Sequence, residues 1–417
     1  MAIVRAFKAV RPAPQLAAQV AALPYDVMNS DEARQMVVGN PYSFLHVDKA
    51  EIDLDPAIDL YDTRVYEKAR DNLNQMIADG VFVQDEKACL YIYKQVMNGR
   101  AQIGIVGCAS IDDYRNNNIR KHELTRADKE QDRINHVDYC DANTGPIFLT
   151  YRAQADINAL VDAQMAAKAP VYDFTSDDGI SHTVWVVDDT EVIEKLTTAF
   201  AGIENLYIAD GHHRSASAVR VGQMRRKAKP DFDGSEEFNY FLSVIFPDAH
   251  LYIMDYNRIV KDLNGNTKEA FLAKVEEKFT VTPYTGDGAL KPEAKHTYGM
   301  YLDGAWYLLA AKSGTFDAAD PVARLDVSIL QNNLLHPILG IGDPRTDKRI
   351  DFVGGIRGLN ALSDRVDNGE MQVAFSMFPT TMEDLMDIAD AGAIMPPKST
   401  WFEPKLRSGI FIHKLSE

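Results

Sequence analysis

The segment ADGHHRS, residues 209–215, places an acid, a glycine, two histidines and an arginine directly after an apolar run. The preceding residues, ENLYIAD, indicate a strand, and the following residues, SASAVRVGQMRRK, indicate a helix that begins near Ser215. The first backbone N–H groups of a helix have no partner within the helix and carry the positive end of its dipole. A strand, a tight turn and a helix in this order therefore predict an anion site.

The side chains of this turn suit a phosphate group. Glycine lets the backbone approach a ligand closely, and an arginine offers a fork of two donors to phosphate oxygens. We predict that four residues bind phosphate or nucleotide, namely Gly211, His213, Arg214 and Ser215, and that His212 is a catalytic group. On this basis Arg214→Ala should abolish nucleotide binding and leave the fold intact.

Asp210 complicates this interpretation, because a carboxylate repels a phosphate. Asp210 fits the site if it caps the following helix through a backbone N–H. It also fits if it binds a Mg²⁺ ion that bridges the phosphates. Both roles stay open from the sequence, so Asp210 is a candidate catalytic residue and a candidate Mg²⁺ ligand.

A second polar segment covers residues 120–148, RKHELTRADKEQDRINHVDYCDANTGPIF. Thr125 and Asp128 have the spacing of a capping box, which predicts a helix that starts near Arg126. A solvated surface helix of mixed charge is the alternative interpretation. Basic side chains recur on one face of the predicted helix and are candidates for holding phosphates: Arg126, Lys129, Arg133 and His136.

Residues on either side of this helix are candidates for contact with a substrate. Glu123, at the mouth of the basic face, could accept a proton from a substrate hydroxyl as general base. His122 precedes it, and Asn143 opens the NTGP turn that follows the helix. We predict that His122 and Asn143 bind the substrate.

The third segment, MPPKSTWFEPKLRSG, spans residues 395–409. Prolines restrict a loop and so hold its side chains in place without regular structure. We therefore predict substrate contacts from Lys398, Ser399 and Thr400. The neighbouring aromatic residues could equally fill a core.

The remaining elements indicate an α+β fold, with mixed sheets, hairpins and helices. The segment Leu60–Gly80 has helical periodicity, and Asn98-Gly99 and Asp303-Gly304 are each suited to a hairpin turn. We place a domain boundary in the LNGNTKE loop. This gives an N-terminal α+β domain, residues 1–265, which contains the DGHHR turn, and a C-terminal α+β domain, residues 266–417.

The composition excludes several classes of protein. The 417 residues carry a net charge of -17, which disfavours a nucleic-acid partner. No uninterrupted apolar stretch approaches the length of a membrane span, so no membrane partner is expected. The three cysteines form no CxxC pair, and together with the absence of a signal-peptide pattern this favours a cytoplasmic location.

Seven segments together resemble the DUF1015 family of bacterial and archaeal proteins, and they run from the N-terminus to the last residues. They are LPYDVMNSDEARQ, NPYSFLHV, KHELTRADKEQDR, NTGPIF, IADGHHRSASA, RIDFVGG and MPPKSTWFEPKLRSGIFIH. More distantly, the strand–DGHHR–helix unit is similar to the signature of the ParB/sulfiredoxin superfamily, which includes a free-serine kinase that uses ADP. This resemblance implies a phosphate cradle at residues 210–214. Sulfiredoxin has a cysteine in its loop and this chain has none there, so sulfinic-acid repair is not implied.

We therefore expect a nucleotide-dependent phosphotransferase that uses ATP or ADP with Mg²⁺. Its substrate would be a small hydroxylated metabolite, with free serine as a candidate, and a homo-oligomer is left open. The alternative is a non-catalytic regulatory protein that binds a nucleotide or a metabolite in the same cradle. A third interpretation is a metal-dependent hydrolase that uses His122, His212 and His213, although adjacent histidines seldom bind one metal ion.

Overall fold

A computed structural model describes residues 2–416 of the chain. They form two compact units. The first unit runs from the N-terminus to Leu251 and resumes at Pro404, and the second unit is Tyr252–Glu403.

The strands within the described residues are short to medium in length. They are β1 Val4–Arg5, β2 Val10–Pro12, β3 Phe82–Gln84, β4 Leu90–Met97, β5 Arg100–Ser110, β6 Ile119–Arg120, β7 Ala142–Asn143, β8 Ile147–Tyr151, β9 Tyr172–Thr175, β10 Ser181–Val187, β11 Leu206–Asp210, β12 Tyr240–Pro247, β13 Tyr256–Val260, β14 Phe279–Pro283, β15 Thr297–Leu302, β16 Ala305–Ala311, β17 Ile350–Gly354, β18 Val373–Met377 and β19 His413–Lys414.

The α-helices alternate with these strands. They are α1 Ala17–Val20, α2 Ser30–Met36, α3 Leu45–Asp48, α4 Thr63–Ala78, α5 Ile111–Arg115, α6 Ala127–Cys140, α7 Ala155–Ala167, α8 Thr190–Ala201, α9 His212–Ala228, α10 Lys268–Lys278, α11 Asp326–Leu330, α12 Asn360–Asp367 and α13 Met382–Asp390. None of the helices within residues 2–416 is both long and apolar enough to cross a bilayer.

The first unit is built on a mixed sheet in the order β6-β11-β8-β12-β5-β4-β10-β9, with β1 paired to β5. Strand β11 runs parallel to β6 and antiparallel to β8, and a bulge interrupts the second pairing between Ile208 and Asp210. Helix α9 follows β11 and buries small side chains, among them Ser215, Ala218 and Gly222. Mixed pairing directions together with helices confirm the predicted α+β class.

Helices α6 and α9 lie side by side and run in the same direction. At one end, the backbone N–H of Arg126 donates to Nε2 of His213 over 3.1 Å. At the other end, Arg225 pairs with Asp138 over 2.8 Å and with Asp141 over 3.3 Å. The N-termini of both helices therefore meet at the DGHHR turn.

The second unit contains a sheet in the order β14-β16-β15-β18-β13-β17. Its core includes Ile259, Tyr301, Trp306 and Leu362. Helix α10 ends where β14 begins, and α13 starts with a capping box from Thr381.

Both predicted hairpins are confirmed. Strands β4 and β5 pair from Met97 to Arg100, around Asn98 and Gly99 at φ 51° and 78°. Strands β15 and β16 are joined in the same way by residues 303–304, at φ 50° and 75°. Two consecutive positive φ angles define the type I′ turn, which asparagine, aspartate and glycine tolerate best.

The division of the chain differs from the predicted boundary at residue 265. Strand β13 pairs with β17 and β18, so the chain from Tyr252 onward belongs to the second unit. The last segment belongs to the first unit, because β19 pairs with β7 and Ile412 exchanges backbone hydrogen bonds with Val10. Because the last segment pairs with strands far away in the sequence, no local pattern indicates that it belongs to the first unit.

The close packing of α9 gives a test of the fold. A Cβ atom at Gly222 would lie 2.5 Å from the carbonyl oxygen of Phe238 and 2.8 Å from Cδ1 of Ile111. We expect Gly222→Ala to lower the free energy of unfolding by about 1–3 kcal/mol, the usual cost of overpacking, despite the better helix propensity of alanine. Chemical denaturation measures the change.

The matched control is Gly342→Ala, because a Cβ atom there meets no atom within 4 Å. This variant should unfold like the parent chain. Equal stability of the two variants would contradict the packing of α9 described here.

Candidate functional site

The turn between β11 and α9 has the backbone that the sequence predicts, but the helix begins earlier. Gly211 adopts the left-handed conformation, φ 90° and ψ 34°, and is the N-cap of α9. The helix starts at His212 rather than near Ser215, so three site residues form its first turn. The N–H groups of this turn have no partner within the helix. The N-cap has no capping side chain and the turn contains no acid, so its donors favour an anion.

Asp210 lies beside this turn with both carboxylate oxygens engaged. Oδ1 accepts from the N–H of Gly211 over 2.8 Å, and Oδ2 accepts from Nζ of Lys405 over 2.7 Å. Burial raises the pKa of Asp210, but the ammonium of Lys405, the N–H of Gly211 and His122 together hold that pKa below its usual value. An ammonium where a cation would bind argues against the predicted Mg²⁺ contact of Asp210. The repulsion expected of this carboxylate is instead offset by Lys405.

The sequence did not predict a role for Lys405. This residue lies in the MPPKSTWFEPKLRSG segment, where the prediction favoured Lys398. The side chain of Lys405 is 16% exposed, and the ion pair brings its charge to the DGHHR turn. A basic stretch next to a proline is the sequence signal that could have indicated a role for Lys405. Its partner Asp210 is 195 positions away and could not be identified from the sequence.

His122, Glu123 and His212 form a cluster at the start of α9. The imidazole rings of the two histidines meet edge to face, with centroids 4.4 Å apart. Nδ1 of His212 lies 3.8 Å from Oε2 of Glu123. Each residue offers one ligand atom, and these three atoms lie within 4.8 Å of one another. The structure therefore brings His212 next to His122 and Glu123, which precede it in the sequence by 89 positions or more.

Burial keeps both histidines neutral. It lowers the pKa of His122 to about 4, against weaker opposing effects of Asp210 and the Ile208 backbone. It also lowers the pKa of His212 well below the usual value, and His122 adds to this shift. By contrast, the side chain of Glu123 is 53% exposed.

His213 connects the two helix N-termini. Its Nε2 accepts the N–H of Arg126, the N-cap of α6, so its other ring nitrogen carries the proton when the ring is neutral. Burial lowers the pKa of His213 and favours this neutral form. The predicted capping box at α6 is wrong, because the hydroxyl of Thr125 donates to Glu130 over 2.7 Å and the N-cap has no capping side chain.

The guanidinium of Arg214 is paired inside the fold. Its Nη2 lies 3.1 Å from Oδ2 of Asp48, a fully buried carboxylate, and 3.3 Å from Oγ of Ser408. The guanidinium also lies over the ring of Tyr25 at 5.1 Å. A Cβ atom at Gly145 would come within 2.1 Å of Nη1, so this arrangement requires glycine there. The phosphate fork predicted for Arg214 is therefore replaced by a buried ion pair.

Arg133 and His136 belong to the same buried network. Nη2 of Arg133 lies 2.8 Å from Oδ2 of Asp132, and its guanidinium lies 4.0 Å from the centroid of the Tyr25 ring. His136 contacts the hydroxyl of Thr144 at 3.1 Å, and burial lowers its pKa to about 3. These residues stabilise the interior of the unit and do not form an open basic face.

Arg126 and Lys129 lie on the surface and have neighbouring partners. Arg126 pairs with Asp128 over 2.9 Å, and both side chains are largely exposed. Lys129 donates to the hydroxyl of Tyr61 over 2.9 Å. The basic face predicted for α6 is thus divided between the surface and the interior.

Two more predicted residues have structural partners. The hydroxyl of Ser215 donates to the carbonyl of Gly211 over 3.0 Å and closes the first turn of α9. Oδ1 of Asn143 accepts the N–H of Leu242 over 3.1 Å and lies 3.1 Å from Nδ1 of His413. The hydroxyl of Ser215 is therefore used within the first turn of α9, and the partners of Asn143 lie outside the DGHHR turn.

The predicted substrate residues Lys398, Ser399 and Thr400 belong to the second unit. The ammonium of Lys398 lies 5.5 Å from the centroid of the Tyr256 ring. The hydroxyl of Ser399 donates to the carbonyl of Pro396 over 2.6 Å. These contacts organise the MPPKST loop within its own unit.

The fold and the turn define an α+β protein in which a helix begins at a left-handed glycine beside a histidine–carboxylate cluster. The sequence model of the family described as "Protein of unknown function (DUF1015)" matches residues 4–328. The chain therefore belongs to this family, as its motifs predicted. No curated protein matches the sequence.

Three solved structures show weak similarity to the chain. A free serine kinase in complex with AMP is 14% identical, with a TM-score of 0.35 over 74% of this chain and 91% of that one. A conserved hypothetical protein from Pyrococcus furiosus is 14% identical, with a TM-score of 0.35 over 74% and 94%. SbnI from Staphylococcus aureus, truncated at its C-terminus, is 11% identical, with a TM-score of 0.36 over 73% and 85%. Similarity at this level does not assign a function.

The buried histidines predict loss of stability in mild acid. Burial lowers the pKa of His122 to about 4 and the pKa values of His136 and His182 to about 3, from an ordinary value of 6.5. Below pH 6.5 the unfolded chain binds protons that the folded chain does not, so acid favours unfolding. Each such histidine contributes a slope of up to about 1.4 kcal/mol per pH unit.

We expect the free energy of unfolding, measured by urea denaturation, to fall steadily from pH 6.5 to 4.5. His136→Gln should reduce the slope. A stability that stays constant or rises across this interval would contradict the neutral state of these histidines.

The Arg214–Asp48 pair gives a second stability test and corrects the expectation that Arg214→Ala leaves the fold intact. Removal of the guanidinium leaves a buried carboxylate without its cation, which costs about 3–5 kcal/mol in such pairs. We expect Arg214→Ala to lose stability on this scale in thermal and chemical denaturation.

The control for this prediction is Arg126→Ala, which removes an arginine from a surface pair. Its stability should not change measurably, because exposed pairs contribute little. If both variants had the stability of the parent chain, the buried pair would not be the structural contact described here.

Proposed function

We propose that the chain is a nucleotide-dependent phosphotransferase that binds phosphate groups at the N-terminus of α9. The observation that carries the proposal is the first turn of this helix. It begins at a left-handed Gly211, has no capping side chain and contains no acidic residue. Its backbone donors and the helix dipole favour a phosphate oxygen at this point.

The charges around this turn support an anion. Lys405 places an ammonium beside the turn and compensates the carboxylate of Asp210. Helix α6 begins at the same place, where the backbone N–H of its N-cap, Arg126, donates to His213. We propose that Gly211 and the backbone of residues 212–214 contact the phosphates, and that Lys405 screens them from Asp210.

Glu123 is the proposed general base. Its side chain is half exposed and lies 3.8 Å from Nδ1 of His212. The substrate hydroxyl would give its proton to Glu123 as its oxygen forms a bond to the transferred phosphorus. The bond from that phosphorus to the rest of the nucleotide would break, and the shortened nucleotide would leave with the electron pair. Positioning and charge neutralisation supply most of the catalysis in such reactions.

ATP or ADP is the proposed phosphate donor. Mg²⁺ neutralises phosphate charge in reactions of this class and keeps several water ligands. Because Asp210 is already paired with Lys405, we propose that Mg²⁺ enters with the nucleotide and is not held by this carboxylate. The proposed acceptor is a small hydroxylated metabolite in the cytoplasm, and free serine is the first to test.

The second candidate function is a regulatory protein that binds a nucleotide or metabolite without turnover. The observation that favours it is the internal pairing of the charges that were predicted to hold phosphates. Arg214 and Arg133 are bound to buried carboxylates, and Asp210 is bound to Lys405. Few charged groups then remain to stabilise a transition state.

A product assay distinguishes the two functions. Purified protein is incubated with ATP or ADP, Mg²⁺ and a panel of hydroxylated amino acids that includes serine, and phosphorylated product is measured by phosphorus NMR and mass spectrometry. Product formation supports the phosphotransferase. Nucleotide binding in calorimetry without product would select the regulator.

With no transition metal added, Glu123→Gln should lower the rate of turnover and largely preserve nucleotide affinity, because the substitution keeps the shape and removes the basic group. General bases contribute about 10²–10⁴-fold to rate. Steady-state kinetics and calorimetry on the same preparation measure the two effects.

The matched control is Glu204→Gln, which makes the same change at an exposed site at the end of the loop before β11. Its rate should equal that of the parent chain. Full activity of Glu123→Gln would exclude Glu123 as the base.

A further inference from the structure

The cluster of His122, Glu123 and His212 contains buried nitrogen atoms that have no hydrogen-bond partner within residues 2–416. His122 is 2% exposed, and neither of its ring nitrogens has a hydrogen-bond partner among the described residues. His212 is 5% exposed, and its Nε2 likewise has no partner in the described part of the chain. A buried polar atom without a partner destabilises the folded chain, so two such imidazoles side by side need an explanation.

A bound cation satisfies this arrangement. The three residues each offer one ligand atom, and these atoms lie within 4.8 Å of one another. Because ligands around one metal ion are each about 2.0–2.2 Å from it, two of them lie at most about 4.4 Å apart. Small side-chain rotations are therefore enough to bring the three atoms onto one ion.

The donor set selects the kind of ion. Two imidazole nitrogens and one carboxylate oxygen suit zinc and other divalent first-row transition metals, whereas Mg²⁺ and Ca²⁺ prefer oxygen ligands alone. Three protein ligands also leave coordination positions open. We infer that His122, Glu123 and His212 form a binding site for a divalent transition metal ion of the zinc class, with an open position toward solvent.

Access and charge agree with this site. Glu123 is the exposed member of the cluster and provides the side from which an ion enters. Burial keeps the two imidazoles neutral near pH 7, so their lone pairs are available without the loss of a proton. Lys121 lies near His212 and opposes a cation, whereas Asp210 lies near His122 and favours one.

This metal site does not include Asp210, the residue predicted to bind Mg²⁺. It also differs from the three histidines of the hydrolase interpretation, which were His122, His212 and His213. His213 is excluded because its Nε2 accepts the N–H of Arg126. Since a carboxylate has two oxygens, Glu123 can bind an ion with one and still accept a proton with the other. His212 opens α9, so an ion here would lie beside the anion-binding turn and would strengthen the binding of a phosphate.

Metal binding is measured on the full chain after treatment with a chelator. Zn²⁺ is titrated by calorimetry, and Co²⁺ is titrated by visible absorption, which reports nitrogen and oxygen ligands. We expect one Zn²⁺ ion per chain and a Co²⁺ spectrum with imidazole ligation. Glu123→Gln should weaken Zn²⁺ binding at least about tenfold, the lower limit seen even for residues outside the ligand set.

His212→Gln should abolish the Co²⁺ spectrum, and thermal unfolding of the same sample shows whether the variant is folded. Glu123 is exposed, so its variant tests the site without risk to the core. The control is His250→Ala, which removes an imidazole whose Nδ1 contacts the backbone of Ile103 and should leave Zn²⁺ affinity unchanged. Unchanged affinity in Glu123→Gln, or no Zn²⁺ binding by the parent chain, would overturn the inference.

Phosphate gives a further readout. If the ion and the anion-binding turn are neighbours, inorganic phosphate should raise Zn²⁺ affinity by the same factor by which Zn²⁺ raises phosphate affinity. The metal site does not depend on the phosphotransferase proposal. Metal binding without turnover would contradict only the proposed function, and turnover by a chain that binds no Zn²⁺ would contradict only the metal site.

Discussion

The buried ion pair between Arg214 and Asp48 is the contact on which the candidate site depends. It ties the first turn of α9 to α3, and the hydroxyl of Ser408 adds the C-terminal segment to the same guanidinium. Gly145 leaves room for this arrangement, because any side chain there would collide with Arg214. The arginine therefore anchors the first turn of α9, whose backbone N–H groups form the proposed anion site. The charge of Arg214 is paired inside the fold, so the backbone of the turn, and not this guanidinium, is the proposed contact for a ligand.

The polar groups around the turn are arranged in compensated pairs and neutral rings. Asp210 is matched by Lys405, and Arg133 is matched by Asp132. Burial keeps His122 and His212 uncharged. A site of this kind has little net charge of its own before a ligand arrives. In the proposed function, attraction for a phosphate would come from backbone dipoles, and a metal ion on the histidine cluster would add positive charge.

Local patterns in the sequence predicted the local structure well. The two hairpins, the strand before the DGHHR turn and the α+β class follow from turn chemistry and hydrophobic periodicity, both of which act over a few residues. The start of α9 was placed too late, because histidine and arginine at a helix start give a weaker signal than a capping residue such as serine. The roles of Arg214 and Lys405 depend on partners 166 and 195 positions away, which no periodicity can reveal. For the same reason the sequence considered His122, His212 and His213 as one metal-binding set, whereas the fold groups His122 and His212 with Glu123.

The most direct test of the central claim is a crystal structure of the protein soaked with ADP and Mg²⁺. The account predicts that phosphate oxygens accept hydrogen bonds from the backbone N–H groups of residues 212–214, with Arg214 still bound to Asp48 and Lys405 still bound to Asp210. A phosphate at another place in the chain, or one held by the guanidinium of Arg214 after its separation from Asp48, would contradict the account.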